Sequence, residues 1–363
     1  MRILFDARVL GAQMHGIARY GSHLLDGLLS QDLENEYLIL TGPEGRKESF
    51  PQTETARWIS TPIPLYSLRE QWQLSILLRS EKFDLYHSPT YTLPLAFVRK
   101  GLLTIHDLIH LVFPKDYSLL HRIYYRMVLR PAVARCLHVF TVSDHSKKDI
   151  QFYLKGNPDK ITVTPNGIDS FWSPRPESPL LSPDYGLGSG YLLFVGNSKP
   201  HKNIRRVVAA FQKLVREQAY PGKLVVVGLT LQPFPPELAD RIINFPHCSD
   251  EELQALYSRA QLLLAPSLYE GFGLPVLEAM ACGCPVLVGN RSSLPEIVGR
   301  AGIQVDPFQV EAIVQGIKKV LDDPGLSREL THQGLQRAQE YSWEKTTRIV
   351  LNTYKALGRT LKK

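Results

Sequence analysis

Short β-branched runs alternate with segments of helical period along almost the whole chain, and that alternation leaves little room for anything but parallel βαβ units. In the first half, strands are expected near Ile3 to Asp6, Tyr37 to Leu40, Leu85 to His87, Leu103 to Ile105, His138 to Val142 and Ile161 to Thr164. Helices should fill the gaps. One begins at Ser67-Leu-Arg-Glu70, a capping-box spacing, with Leu68, Trp72 and Ile76 four apart on one face. The alternation then stops in "PNGIDSFWSPRPESPLLSPDYGLGSG", crowded with Pro, Ser and Gly, which reads as a linker. It restarts with "YLLFVG" at 191, "KLVVVG" at 223, "LLLAP" at 262, "PVLV" at 285 and "GIQV" at 302. Between these runs, one helix carries Ile204, Val208, Phe211 and Val215 as a stripe, and another opens on the capping box Ser249-Asp-Glu-Glu252. The length of 363 residues suits two such domains. The expected boundaries are 1–172, a linker at 173–190, a second domain at 191–342 and a C-terminal helix at 343–363 that packs back on the first domain.

Charge and cysteine content narrow the setting. A net charge of +7 suits an anionic small molecule, an anionic membrane surface or nucleic acid. Nucleic acid has little support beyond that charge, because no interleaved basic and aromatic motif stands out. Four cysteines make no disulfide framework, and "MRILFDARVL" reads as a strand rather than a signal peptide, so a cytoplasmic location is expected. Apolar runs such as "LVVVGLTL" stop short of the roughly 20 residues that span a bilayer, which restricts any membrane association to the periphery.

Open parallel sheets bind ligands beyond the carboxyl ends of their strands. In "SLYEGFGLPVLEAMACGCPV", Glu270 falls in such a place if "LLLAP" is a strand, Pro275 suits a first helical turn, and Glu278 lies a turn further in. Gly271 and Gly273 allow close backbone approach, and the helix start behind them favours an anion. The bland alternatives are an acid-capped turn for Glu270 and a helix-surface carboxylate for Glu278. In "FVGNSKPHKN", Gly196 follows a strand, and Lys199, His201 and Lys202 gather before a helix start. That cluster suits phosphates but also suits a solvated loop, and it is not a nucleotide-hydrolase or dinucleotide fingerprint.

Taken together, "GNSKPHKN", "SDEEL", "PSLYEGFGLPVLEAMACGCPV", "NRSSLPEIVG" and "YSWEKT" resemble the retaining glycosyltransferases of family 4, which have the GT-B fold of two Rossmann-like domains facing a cleft. "GIARYGSHLL", "TIHDLIH", "TVSDHSKKDI" and "PNGID" extend the resemblance over nearly the whole chain. It implies transfer of a sugar from a nucleotide-sugar to an acceptor hydroxyl with retention at the anomeric carbon, without a cofactor or bound metal. Glu270 and Glu278 match the two acids of the Glu-x7-Glu motif, the first for the donor sugar's hydroxyls and the second for the ribose. The amides of Gly271, Phe272, Gly273 and Leu274 would assist Glu270, and Lys202 matches the lysine that neutralises the diphosphate. Many members carry an arginine where this chain has Asn197, which could donate only a neutral hydrogen bond, so the second phosphate contact falls to Lys199, to His201 or to the helix amino terminus. His247 and Cys248 fall where the family reads the base, through their backbones. His106 matches the histidine that lies against the donor sugar, with Asp107 orienting its loop. Gly16 would border the diphosphate, while Ile17, Arg19 and Tyr20 would border the acceptor, with Arg19 equally readable as only a surface charge. The segment "NRSSLPE" resembles mannosyltransferase-like members, which favours GDP-mannose over UDP-glucose or another UDP-sugar. Acceptors implied by the family are glycans, lipid-linked saccharides and small alcohols.

Two features stand outside that pattern. In "HRIYYRMVLRPAVAR", Arg122, Arg126 and Arg130 form a basic stripe that suits either anionic lipid or a plain surface helix broken near Pro131. Cys282 and Cys284 read as small buried residues rather than metal ligands. The competing functions are a sugar-nucleotide epimerase or phosphorylase on the same scaffold, and a non-catalytic nucleotide-sugar binding protein. A dehydrogenase is disfavoured, since "GAQMHGIARYG" lacks the dinucleotide glycine spacing.

Overall fold

A computed structural model describes residues 1–10, 16–43, 45, 47–67, 69–117, 119–175, 187, 190–217, 220–230 and 234–361. It divides into two compact units, Met1–Gly167 with Ser342–Lys363, and Ile168–Tyr341. Residues 176–186, 188 and 189 of the expected linker, and Leu68 of the expected helical stripe, lie outside the described residues.

The first unit is built on β1 (Arg2–Asp6), β2 (Glu36–Thr41), β3 (Ala56–Ser60), β4 (Leu85–Ser88), β5 (Gly101–Ile105), β6 (His138–Thr141) and β7 (Ile161–Val163). They form one sheet in the order β3-β2-β1-β4-β5-β6-β7, with every described pairing parallel. Six of these strands are the apolar runs seen in the sequence. The seventh, β3, is an edge strand with an alternating half-exposed pattern, so its sequence "ARWIS" carries no continuous apolar run. The second unit repeats the design with β8 (Tyr191–Val195), β9 (Lys223–Val227), β10 (Ile242–Phe245), β11 (Leu262–Ala265), β12 (Val286–Gly289) and β13 (Ile303–Val305). Their order is β10-β9-β8-β11-β12-β13, again parallel throughout. Each sheet therefore reverses direction next to its first strand, between β1 and β4 and between β8 and β11. This is the doubly wound arrangement, and loops leaving the two strands at that reversal part to opposite faces and open a ligand crevice.

Packing settles details that periodicity left open. The helix Ile204–Arg216 buries Ile204, Val207, Ala210, Phe211 and Leu214, while Val208 and Val215 of the expected stripe flank that face, only partly buried. The capping box at Ser249 is present: Ser249 Oγ accepts from the Glu252 amide and the Glu252 carboxylate accepts from the Ser249 amide. The one expected at Ser67 is not. Glu70 is drawn inward instead, where its carboxylate pairs with Arg8 at 2.9 Å and leaves Ser67 to donate to the Pro64 carbonyl. Trp72 and Ile76 consequently face solvent, and Leu74 and Leu78 fill the core.

The helix Trp343–Leu361 belongs to the first unit, as expected. It packs along Gly16–Gln31, where a Cβ on Gly27 would meet Thr347 Oγ1 at 2.3 Å, so glycine is what permits the approach. Trp343 stacks on His23 with ring centroids 4.6 Å apart, and Tyr354 is hydrogen-bonded to His87. The arginine-bearing segment runs as α-helix Leu119–Tyr124, a π turn Tyr125–Leu129 and α-helix Arg130–Arg135. Pro131 thus does not break the helix, because the wider turn before it accommodates the missing N–H and the ring. No helix among the described residues is long and apolar enough to cross a membrane.

Candidate active site

In the second unit, the loops that follow β8 and β11 meet at the sheet reversal, and they bring Lys202 and Glu270 together. Lys202 Nζ donates to both carboxylate oxygens of Glu270, at 2.8 and 3.0 Å, with both side chains largely buried. Residues 68 apart in sequence thereby form one cation-anion unit where a ligand is expected. The loops are also joined through their backbones, since the Leu268 amide donates to the His201 carbonyl at 2.7 Å.

The residues that hold this geometry were not singled out from the sequence. Asn203 adopts a left-handed conformation, φ 64°, just before the helix Ile204–Arg216. Its side-chain amide donates to the carbonyls of Pro266 at 2.9 Å and Pro307 at 2.7 Å, tying the Lys202 loop to the two loops beside it. Ser292 Oγ accepts from the Glu270 amide at 3.0 Å, and Ser293 Oγ contacts the carbonyls of Glu270 at 2.9 Å and Phe272 at 2.8 Å. The serines of "NRSSLPE" thus brace the Glu270 turn from the neighbouring loop, which follows β12. The signal in the sequence was the pair of adjacent hydroxyls after a strand, which could equally have been a helix cap.

Gly273 ends that turn at φ 112°, immediately before the helix Leu274–Ala281. The first amides of a helix have no partner within it, so the helix start offers N–H groups to an anion. A Cβ at Gly273 would lie 2.6 Å from Leu294 Cδ2. Gly273→Ala is therefore expected to cost about 1–3 kcal/mol from backbone strain alone, with the clash added. Thermal unfolding should show a lowered midpoint, and an unchanged one would contradict the requirement for glycine.

Glu278 is not a surface acid. It is buried at 5% exposure and accepts a hydrogen bond from the Tyr257 hydroxyl at 3.2 Å. Burial and then the Glu278 charge push the Tyr257 hydroxyl well above its usual range, so it remains a donor. Burial also pushes the Cys248 thiol up to about 11, with Glu252, Asp250 and Glu278 adding to the shift. The His247-Cys248 segment follows β10. Cys282 and Cys284 are buried, as expected. Phe272 is buried edge-on to Tyr341 with centroids 5.6 Å apart, which limits its offer to a ligand to the backbone. Asn197 and Lys199 are exposed, and the Asn197 side chain accepts from the Lys199 amide at 3.1 Å to close a turn.

In the first unit, His106 follows β5 and its Nε2 donates to the Pro89 carbonyl at 2.9 Å, which fixes the tautomer. Burial lowers its pKa to about 4 despite that carbonyl, so the ring is neutral near pH 7. Asp107 accepts from the Ile109 amide at 3.1 Å, an orienting role for the loop. Gly16 is exposed at the start of its helix, with Ile17 and Arg19 half-buried behind it. Tyr20 needs correction as an acceptor contact. It has no exposed surface, lies edge-on to His106 and Trp343, and contacts Thr164 Oγ1 at 3.0 Å. Its position on the inner stripe of the helix makes it a packing residue that backs His106.

Comparison with known proteins agrees with this arrangement. Residues 14–170 match the family described as Glycosyltransferase Family 4, and residues 185–337 match that described as Glycosyl transferases group 1. The O-antigen chain mannosyltransferase B of Escherichia coli is 31% identical over 98% of this chain and 100% of its own length. Among solved structures, sucrose-phosphate synthase from Thermosynechococcus elongatus superposes with a TM-score of 0.76 at 20% identity, covering 99% of this chain and 100% of that one. Anabaena Alr3699/HepE in complex with UDP-glucose superposes with a TM-score of 0.73 at 17% identity, covering 98% and 100%. The chain belongs to the family 4 glycosyltransferases and has their GT-B fold.

Proposed function

We propose that this protein transfers mannose from GDP-mannose to a hydroxyl of a growing or lipid-linked glycan, with retention of anomeric configuration and without a metal or cofactor. The observation that carries the reading is the Lys202–Glu270 pair at the sheet reversal, set before a glycine-initiated helix start. The donor would divide that pair. Lys202 and the helix amides take the diphosphate, Glu270 takes sugar hydroxyls, and the buried Glu278 accepts the ribose diol, a task for which a carboxylate's two oxygens suffice. His247 and Cys248 present backbone to the base. Asn197, Lys199 and Gly16 are the remaining phosphate contacts, while Ile17 and Arg19 face the acceptor. His106, held neutral, is the first unit's contribution to the sugar. The leaving phosphate would accept the acceptor's proton as the new bond forms on the same face. Mannose is favoured by the name and full-length similarity of the E. coli relative. A UDP-sugar is the second reading, since Anabaena Alr3699/HepE was solved with UDP-glucose.

A donor panel scored by thermal shift and by release of free nucleotide tests the reading. GDP-mannose should give the largest shift, and release should require an acceptor. Turnover of a nucleotide sugar to another nucleotide sugar would instead indicate an epimerase, and binding without turnover a carrier. Glu278→Ala should weaken nucleotide affinity about tenfold or more, the loss of a charge-assisted hydrogen bond. A calorimetric titration with an unchanged dissociation constant would remove Glu278 from the ribose site.

Peripheral contact with an anionic membrane is part of the proposal. Leu120, Ile123 and Met127 are 76%, 49% and 65% exposed, on the same helical segment as the exposed Arg126 and Arg130. The Arg122 side chain lies outside what the structure describes. Vesicles containing phosphatidylglycerol should sediment the protein, those of phosphatidylcholine should not, and Met127→Asp should lower the bound fraction. Equal behaviour on both vesicles would rule the contact out.

A further inference from the structure

Tyr66, in the loop that follows β3, has φ +60°, a left-handed conformation that a bulky side chain adopts only at a cost. The loop gives it no freedom to relax. The Ile63 amide donates to Thr61 Oγ1 at 3.3 Å, the Ile63 carbonyl accepts from the buried Arg8 guanidinium at 3.3 Å, and the Tyr66 amide donates to Glu70 at 3.2 Å. Arg8 is itself locked between Asp6 at 2.6 Å and Glu70 at 2.9 Å, in a cluster closed to solvent. The strain at Tyr66 is thus imposed by a buried ionic network beneath it.

The ring is held as firmly as the backbone. Its centroid lies 5.1 Å from that of Tyr91. Tyr91 in turn packs against Tyr125 at 5.6 Å and Tyr124 at 6.1 Å. Tyr66 is the outermost ring of this stack, and 47% of it remains exposed. All four tyrosines lie in segments that follow β3, β4 or β5, on the carboxyl-end side of the sheet where doubly wound domains take their ligands. An aromatic ring that is both rigid and open offers an electron-rich face without an ordering cost on binding. The complementary ligand is one with a flat face of polarised C–H bonds and hydroxyls around its rim, which describes a pyranose.

We infer that Tyr66, backed by Tyr91, is the stacking platform for a pyranose ring of the acceptor saccharide. The inference rests on the reading that the acceptor is a glycan, and it adds the residue that would grip it. The strained backbone then has a use: it turns the ring outward where a relaxed residue would turn it along the loop.

The same φ angle supplies a clean test, because glycine adopts it without strain. Tyr66→Gly should therefore keep the thermal midpoint while removing the platform, and Tyr66→Phe should keep the platform while losing only the hydroxyl. The probe is α-linked mannotriose, with maltotriose as a second saccharide, titrated by saturation-transfer NMR. The expected result is an affinity loss of about five- to tenfold in Tyr66→Gly, less than about twofold in Tyr66→Phe, and unchanged GDP and UDP affinity in both. Undiminished saccharide binding in Tyr66→Gly, or no binding of either saccharide to the unaltered protein, would overturn the platform. A loss of nucleotide affinity in place of saccharide affinity would also overturn it, by placing the ring on the donor. Failure of the unaltered protein to bind any nucleotide sugar would sink the transfer reading separately, since the saccharide titrations do not depend on it.

Discussion

Glu270→Ala is expected to lower sugar transfer about 10²–10³-fold, the scale of losing one preorganised contact and the alignment that depends on it. The fold should survive. Glu270 sits in a turn whose backbone is fixed by Ser292 and Ser293, neither of which bonds its carboxylate. Lys202, left without its partner, is 16% exposed and can turn toward water. Far-ultraviolet circular dichroism should therefore be unchanged while nucleotide release in the presence of acceptor falls. Glu270→Gln separates charge from hydrogen bonding: the amide keeps one acceptor oxygen of two and should retain more activity than alanine. Near-normal turnover in Glu270→Ala would remove the residue from the sugar site.

Lys202→Ala should be of comparable severity, about 10²–10³-fold in kcat, because the cation would be removed from the oxygen where negative charge grows as the sugar departs. Here stability should fall as well. The 14%-exposed Glu270 carboxylate loses both hydrogen bonds from Lys202 in a turn that cannot easily carry it outward. Since each residue is the other's partner, the double variant should be less destabilised than the sum of the singles, a coupling that denaturant titration of all four proteins would measure. Additive losses in stability would mean that the pair is held apart in solution. Lys202→Arg preserves charge but replaces a compact ammonium by a planar fork, so only partial activity is expected.

The strands and the C-terminal helix were legible in the sequence because buried parallel strands are continuous apolar runs that need no context. Of the four edge strands, β7 and β13 were legible but β3 and β10 were not, since they are half-exposed and "ARWIS" and "IINF" carry no run of β-branched apolar residues long enough to stand out from a loop. Glu270 and Glu278 stood out through their spacing around a glycine turn. Their actual partners, Lys202 and Tyr257, lie 68 and 21 residues away and follow only from the strand order. Asn203, Ser292 and Ser293 act by bonding the backbone of other loops, and nothing local distinguishes such residues from ordinary caps. Glu70 shows the reverse error: its local pattern was a capping box, and a buried arginine from β1's end overrode it.

The return of residues 342–363 to the first unit also sets an order of events during synthesis. Thr346, Thr347, Val350 and Tyr354 are buried against a domain whose other residues left the ribosome more than 170 residues earlier. That domain must wait with its docking groove open, while the 168–341 unit is complete and able to fold as soon as it emerges. A chain truncated after residue 341 should accordingly carry a protease-resistant second domain and a first domain that is still digestible and a target for chaperones. The amino-terminal domain, although made first, would be the last to become native.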